Sequence, residues 1–319
     1  MTNSSFSTKL PTLQLAIDST SLGAFKVCPR YYQLSIGPQP EVGGFAPRME
    51  SVHLIFGLLA HSSLEHYHHF RSQSIPHEEA LLQTVHWALR ATWNSETNQP
   101  WTSDDPNKNR FTLIRTIVQY LDQYGDNDPI ETVILANGKP AVELSFCFES
   151  GYNSKTTSEP FLICGHLDRL GTLNGKPWIS DFKTTKQTIN RRFFEKFTPF
   201  NQFTIYTLAG QVVWHIPALG VIVDGAQVAV TFSKFEREIV SRSTSQLDEW
   251  HRDLAYWLSY MEQCAIDNYW PKNDMSCDRY GGCPFRPVCS QRSPESESIF
   301  LHGNYVSRTW DPLLRRGDI

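Results

Sequence analysis

"GHLDRLGTLNGKPWISDFKTTK", Gly165 to Lys186, holds an Asn-Gly pair between two alternating segments. Asn-Gly is the strongest short-range signal for a two-residue hairpin, because both central residues must take positive φ. With Asn174 and Gly175 as the loop, Leu173 faces Lys176; counting outward sets Asp168 opposite Asp181 and His166 opposite Lys183. Directly opposed side chains have Cβ atoms about 4.5–5.5 Å apart, and like charges there are destabilising. A shared proton or a bound cation would offset that repulsion. Side chains alternate along a strand, so Asp181 and Lys183 share a face while Phe182 points the other way. The flanking LICGHLD and WISDF are apolar enough for a mostly buried sheet, where unpaired carboxylates are costly. That favours a metal site over a solvated surface hairpin. A lysine two residues from a metal-binding carboxylate points further, to hydrolysis. His166 reads as a hydrogen-bonding neighbour of the site and not as a ligand.

Outward from the hairpin, PAVELSFCFE alternates, with Val142, Leu144, Phe146 and Phe148 on one face and Glu143, Ser145 and Cys147 on the other. Upstream, Asp18 or Ser19 can cap a helix through SLGAFKVCPRYYQL, followed by the Gly/Pro-rich loop GPQPEVGGFAPR. Helical spacing then runs through SVHLIFGLLAHSSLEHYHHF, EEALLQTVHWALRATW and FTLIRTIVQYLDQY. Downstream, FTPFNQFTIYTLAGQVVW is helical, LGVIVDG and AQVAVTFSKFERE read as a pair of strands, and STSQLDEWHRDLAYWLSYMEQCAIDN is a long helix. The expectation is an α/β fold with a mixed central sheet between helices. Its domain limits are a flexible lead over residues 1–17, one domain over 18–292 and a tail over 293–319.

The bulk properties exclude some classes. The chain has 319 residues, 40% of them hydrophobic, enough for a sizeable core. A net charge of −4 and a pI near 6.3 give no global basic field, so nucleic acid would have to be met by a local patch. Between Thr184 and Thr198, Lys186, Arg191, Arg192 and Lys196 stand against one acid, Glu195, which supplies such a patch. The start MTNSSFSTKL lacks the apolar core of a signal peptide, and no long apolar run would span a membrane. Seven cysteines, an odd number without secreted-framework spacing, fit a reducing, cytoplasmic setting.

Asp168 followed by Asp181-Phe182-Lys183 resembles the core of the PD-(D/E)XK nucleases. Gln202-Phe203-Thr204-Ile205-Tyr206 resembles the Q-x-x-x-Y motif of the RecB-like branch, and Gly57-Leu58-Leu59-Ala60-His61 its G-x-x-x-H motif. These elements occur in family order across roughly residues 20 to 290; each is weak alone, and His61 says little in a chain of eleven histidines. The resemblance implies a restriction-endonuclease-like core in which His61, Asp168, Asp181 and the main-chain carbonyl of Phe182 ligate Mg²⁺ or Mn²⁺. It implies that Glu143 is an additional acid, that Lys183 orients water and steadies charge on the phosphate, and that Gln202 and Tyr206 line the DNA path.

Cys277, Cys283 and Cys289 are evenly spaced in a Gly/Pro-rich stretch, and Cys28 is the candidate fourth ligand of a common centre. Four thiolates suit zinc or a [4Fe–4S] cluster; zinc sites usually use closer C-x₂₋₄-C pairs. The arrangement resembles the iron–sulfur nucleases of the AddB type and the CRISPR-adaptation nucleases, in which a cluster clasps the N- and C-terminal segments together. Here five residues, where that family has two, separate the first two C-terminal cysteines. Cys147, Cys164 and Cys264 lie in apolar or helical patterns and read as core thiols.

The function expected on this basis is metal-dependent DNA hydrolysis, exonucleolytic by family resemblance, on linear DNA, single-stranded or with free ends, in recombination, repair or phage DNA processing. No Walker A loop occurs, so the chain would cut without ATP or borrow a helicase or recombination partner. The rival expectation is a catalytically silent, DNA-binding or redox-sensing subunit of a larger complex.

Overall fold

A computed structural model describes residues 5–37, 43–48, 51–217 and 219–314; part of the expected Gly/Pro-rich loop, residues 38–42, lies outside them. The chain forms two compact units. One comprises Met1–Glu50, Ser145–Gly165 and Thr244–Ile319, the other Ser51–Leu144 and His166–Ser243.

The chain enters the first unit with β1 (Ala16–Ile17), α1 (Ser19–Val27), α2 (Pro29–Ser35) and β2 (Gly44–Pro47). It builds the second with α3 (Val52–Ser72), α4 (His77–Ala91), the short pair β3 (Trp93–Asn94) and β4 (Gln99–Pro100), α5 (Arg110–Tyr124) and β5 (Ile130–Thr132). The strands β6 (Val142–Asn153) and β7 (Pro160–Leu173) each have residues in both units. The second unit then continues with β8 (Lys176–Thr185), α6 (Arg191–Glu195), α7 (Asn201–Val213), β9 (Gly220–Val228) and β10 (Ser233–Ser241). The chain returns to the first with α8 (Thr244–Ile266), α9 (Arg286–Cys289), α10 (Pro294–Asn304) and β11 (Tyr305–Arg308).

In the second unit the sheet is mixed, as expected. β5 and β8 flank β7 antiparallel, β9 lies parallel to β8, and β10 is antiparallel to β9. Asn174 (φ 51°) and Gly175 (φ 72°) both take the left-handed conformation that a tight hairpin between twisted strands demands. The register follows, pairing Leu173 with Lys176 through to Arg169 with Ser180. The helical side of this sheet is closed by Phe56, Ala60, Leu64, Leu113, Ile117 and Tyr120, packed against Phe182, Ala226, Val228 and Phe235.

Several details depart from the sequence reading. β9 runs past Gly225 to Val228, and the turn falls at Ala229–Phe232, closed by the Ala229 N–H donating to the Phe232 carbonyl at 3.0 Å. The helix expected through SLGAFKVCPRYYQL breaks at Cys28, which is extended (φ −166°, ψ 118°) because Pro29 disfavours the helical region for the residue before it. Residues 5–17 are no loose lead. Leu13 and Ile17 are buried, and Ala16–Ile17 pair with Leu162–Ile163 of β7. The expected tail is likewise structured: β11 pairs with β2, and Leu301 and Tyr305 share a core with Leu34, Phe45, Phe285 and Val288. Apolar side chains in both segments are buried, as their residue types favour. Among the described residues no helix is long and apolar enough to cross a membrane.

Candidate active site

Three side chains from three elements of the second unit converge. His61 projects from the middle of α3, Glu143 from the start of β6 and Asp168 from β7, and one ligand atom of each lies within 4.8 Å of the others. His61 Nδ1 is 3.2 Å from Asp168 Oδ2 and 3.9 Å from Glu143 Oε1. Asp168 stands one step beyond the last paired residue of the hairpin, opposite Asp181 as the register requires. There its carboxylate takes over from the backbone ladder: Phe182 N–H donates to Asp168 Oδ2 at 2.8 Å.

Glu143 reaches the group by an unusual route. It has φ of 50°, the left-handed region that costs a non-glycine residue roughly 1–2 kcal/mol. This single residue breaks the alternation expected in PAVELSFCFE, so that Val142 and Phe146 are buried while Leu144 and Phe148 are only partly so. Strain of this kind persists where the surrounding structure holds it, and it gathers at functional sites.

Asp181 is fully buried and turned towards Lys183, its Oδ2 2.6 Å from the Nζ, and so stands outside the three-residue group. Its Oδ1 is buried with no hydrogen-bond partner. Burial, then Asp168, push the Asp181 carboxyl up to about 7 against the pull of Lys183. Burial works against the charge on Asp168 too, but His61 and Lys183 hold it below the usual carboxylate range. His61 would be lowered by burial, yet Asp168 and Asp181 lift it to about 9. Lys183 is likewise opposed by burial and raised by Asp181 and Asp168, so it stays an ammonium. One imidazole, two converging carboxylates, all three partly buried, and an orphaned oxygen on a fully buried third carboxylate suit a hard divalent cation.

The motif residues behind this group hold the strand and do not line an open path. Tyr206, expected along the DNA path, is buried; its hydroxyl donates to the His166 carbonyl at 2.6 Å and accepts from Gln202 Nε2 at 2.9 Å. His166, two residues before Asp168, thus takes part through its backbone. Of the expected basic residues, Arg191 is exposed and pairs with Glu195 within α6 at 2.9 Å, Arg192 is exposed, and Lys186 lies 2.9 Å from Asp105. The site's neighbours include charges that the motifs did not reveal. Asp128 accepts from Arg169 and Arg237, and Arg237 also donates to the buried Asp224. A lone aspartate in the otherwise uncharged GVIVDGAQV of β9 was the available signal, since a buried carboxylate needs a partner.

In the first unit, Cys28, Cys277, Cys283 and Cys289 line one cavity of about 660 Å³. Cys28 sits at the corner between α1 and α2, and its Sγ accepts the Asn273 N–H at 3.3 Å. Among the described residues no three cysteine sulfurs are within the 4.8 Å that brings His61, Glu143 and Asp168 together. Cys164 and Cys264 are buried, and burial raises both thiols, as core residues require; Cys147 is partly buried beside Cys164.

Strands of the mixed sheet and helix α3 thus bring carboxylates, a lysine and an imidazole close together. The chain belongs to the PD-(D/E)XK nuclease superfamily, whose family model matches residues 19–290. No curated protein matches it at a significant level. A solved structure of a candidate exonuclease from Eubacterium rectale is similar over 83% of this chain and 86% of its own, at 11% identity and a TM-score of 0.47.

Proposed function

We propose that this nuclease is a metal-dependent DNA exonuclease acting on linear DNA, with His61, Glu143, Asp168, Asp181 and the Phe182 carbonyl holding Mg²⁺ or Mn²⁺. The observation that carries the reading is the convergence of His61, Glu143 and Asp168 beside the Asp181–Lys183 pair, whose orphaned Asp181 oxygen is buried. Such a cation polarises a phosphoryl oxygen and lowers the pKa of a bound water. The chain's own part is positioning. Lys183 has three N–H donors, one directed at Asp181, which leaves donors for a phosphate oxygen as charge grows on it. Phe182 N–H fixes the Asp168 carboxylate, and Gln202 and Tyr206 fix the strand that carries it. Exonucleolytic action and a place in recombination, repair or phage DNA processing, alone or with a helicase, rest on the RecB-like motifs.

The cysteine-lined cavity supports a [4Fe–4S] cluster as a second component. A tetrahedral zinc site has Zn–S bonds of about 2.3 Å and needs its sulfurs close together, whereas a cubane holds them further apart, as the open cavity allows. Protein isolated without air should carry about four irons and four sulfides per chain; stoichiometric zinc instead would replace the cluster with a zinc staple.

The function is tested on end-labelled linear DNA, single- and double-stranded, beside a closed circle, with Mg²⁺, Mn²⁺ or EDTA. Metal-dependent loss of the linear strands, absent in Asp181→Ala and Lys183→Ala and sparing the circle, is expected. Binding without cleavage by the wild type in either metal would make the chain a docking subunit instead.

A further inference from the structure

Beside Lys183 lies a run of phenylalanines that the cleavage chemistry does not use. Phe193 in α6, Phe197 in the following loop, Phe200 and Phe203 form a chain of ring contacts with centres 5.0 to 5.5 Å apart. Phe193, Phe197 and Phe203 are buried, whereas Phe200, the residue before α7, is 37% exposed. Phe203 ties the run to the catalytic strand: Lys183 Nζ lies 5.6 Å from its ring centre, and the Phe200 ring centre 5.3 Å from the same point. The Phe200 ring is therefore within about 11 Å of that ammonium, about three nucleotides at 3.4 Å each.

An exposed phenylalanine on its own needs no explanation. This one is held in place by a buried charge. Arg242, just after β10, is 3% exposed, and its hydrogen-bond partners among the described residues are neutral oxygens. It donates to the Phe197 carbonyl at 2.7 Å, the Phe200 carbonyl at 3.4 Å, Thr198 Oγ1 at 3.3 Å and Thr204 Oγ1 at 3.0 Å. A guanidinium taken from water without a carboxylate is costly. What it secures is the backbone from Phe197 to Phe200, and the contacts with Phe197 and Phe203 then limit the open ring.

Charge of one sign borders this surface. Lys196 is exposed, with its Nζ 3.8 Å from the Phe193 ring centre and 4.9 Å from that of Phe197. The adjacent acid, Glu195, is engaged by Arg191 at 2.9 Å, and no ion pair of Lys196 forms among the described residues. A fixed aromatic face beside a cation without a facing acid suits a nucleobase, whose π-face stacks, and the phosphate that follows it. In a duplex those faces are covered by neighbouring bases; an unpaired strand offers them.

We propose that Phe200 is a stacking platform for one base of single-stranded DNA, within about three nucleotides of the scissile phosphate, with Lys196 against the backbone. The platform deepens the nuclease reading and rests on it, naming the unpaired strand as the substrate. The contact reads no sequence, since every base has a π-face.

The test is binding of short fluorescein-labelled DNA in EDTA, single-stranded and duplex, which needs no cleavage. Phe200→Ala should loosen single-strand binding roughly fivefold to a hundredfold, the range of a base–aromatic stack, and leave duplex binding unchanged. Phe200→Trp should retain the single-strand affinity. A single abasic position, moved stepwise along the strand, locates the base: there it should weaken the wild type and have no further effect in Phe200→Ala. Lys196→Ala should reduce the slope of log K against log salt by about 0.7. The platform would be overturned by absence of single-strand binding in the wild type or by equal losses on both forms of DNA. Abasic losses that add to that of Phe200→Ala at every position would overturn it too. Cleavage is scored separately. Its absence with metal, the abasic coupling being present, would sink the nuclease reading and leave the platform standing.

Discussion

His61 holds a proton in the metal-free site, because Asp168 and Asp181 outweigh its burial and set its affinity at about 9. A metal must displace that proton, so binding should release it and tighten with pH. The expected profile for Mn²⁺ is about tenfold per pH unit between about 7 and 9, steeper below 7 where Asp181 also keeps its proton, and flat above 9. Calorimetry in two buffers of different ionisation enthalpy measures both the affinity and the proton count. A profile without slope above pH 7 would remove His61 from the ligands. The same group sets a sign for stability. Its folded affinity exceeds the unfolded value of about 6.5, so the folded state binds more protons in that window. Stability is then fully present below about 6.5 and is lost as pH rises through about 9. His61→Gln should flatten that stretch of a thermal-melting profile. Glu143 offers a second residue-scale test. Because its φ is 50°, Glu143→Gly should be more stable than Glu143→Ala by about 1 kcal/mol, the reverse of the usual order in a strand. Both should lose Mn²⁺ affinity alike. An alanine variant as stable as the glycine one would show that the backbone there relaxes freely.

The β7–β8 hairpin was legible almost whole, because Asn-Gly fixes a turn, the turn fixes register, and register fixes which acids face each other. What alternation does not carry is the sign of a dihedral, so Glu143 was placed on the right strand without the left-handed step that swings it to His61. Asp181 illustrates a related gap. Counting residues sets it across from Asp168, but which neighbour it pairs with is decided by Lys183, 2.6 Å away. The Gln202–Tyr206 pair was found by motif and its place was not, since helical spacing does not tell a buried tyrosine from one that faces a groove. Lys108 left no trace at all; a lysine in a polar loop reads as solvated, and only the fold brings Thr184 and Phe56 around it. The prediction at this scale concerns α7. Tyr206→Phe removes the bond to the His166 carbonyl and should cost about 0.5–1.5 kcal/mol of stability. It should also lower kcat/KM by loosening the strand that bears Asp168. Urea melts and cleavage rates check the two effects; lost stability with unchanged cleavage would make the tyrosine purely structural.

At the scale of the whole chain, the unit that holds the four cysteines is assembled from three separate stretches, Met1–Glu50, Ser145–Gly165 and Thr244–Ile319. Cys28 belongs to the first and Cys277, Cys283 and Cys289 to the last, so a shared centre would close a loop of roughly 250 residues. A closure that long removes much entropy from the unfolded chain, and the folding of such a unit is then coupled to its cofactor. Redox chemistry is not required to explain the cysteines. Every side chain of the His61, Glu143, Asp168, Asp181 and Lys183 set lies in the other unit. The two centres should therefore separate under mutation. Cys28→Ser, purified without air, should lose the visible absorption of the proposed cluster and melt at a lower temperature. Mn²⁺ binding followed by electron paramagnetic resonance should stay within about twofold of wild type, since Cys28 and those ligands belong to different compact units and effects at sites without shared partners add. If Cys28→Ser abolished Mn²⁺ binding while the nuclease unit kept its fold, the cluster would have to be read as a regulator of the catalytic metal and no longer as a staple.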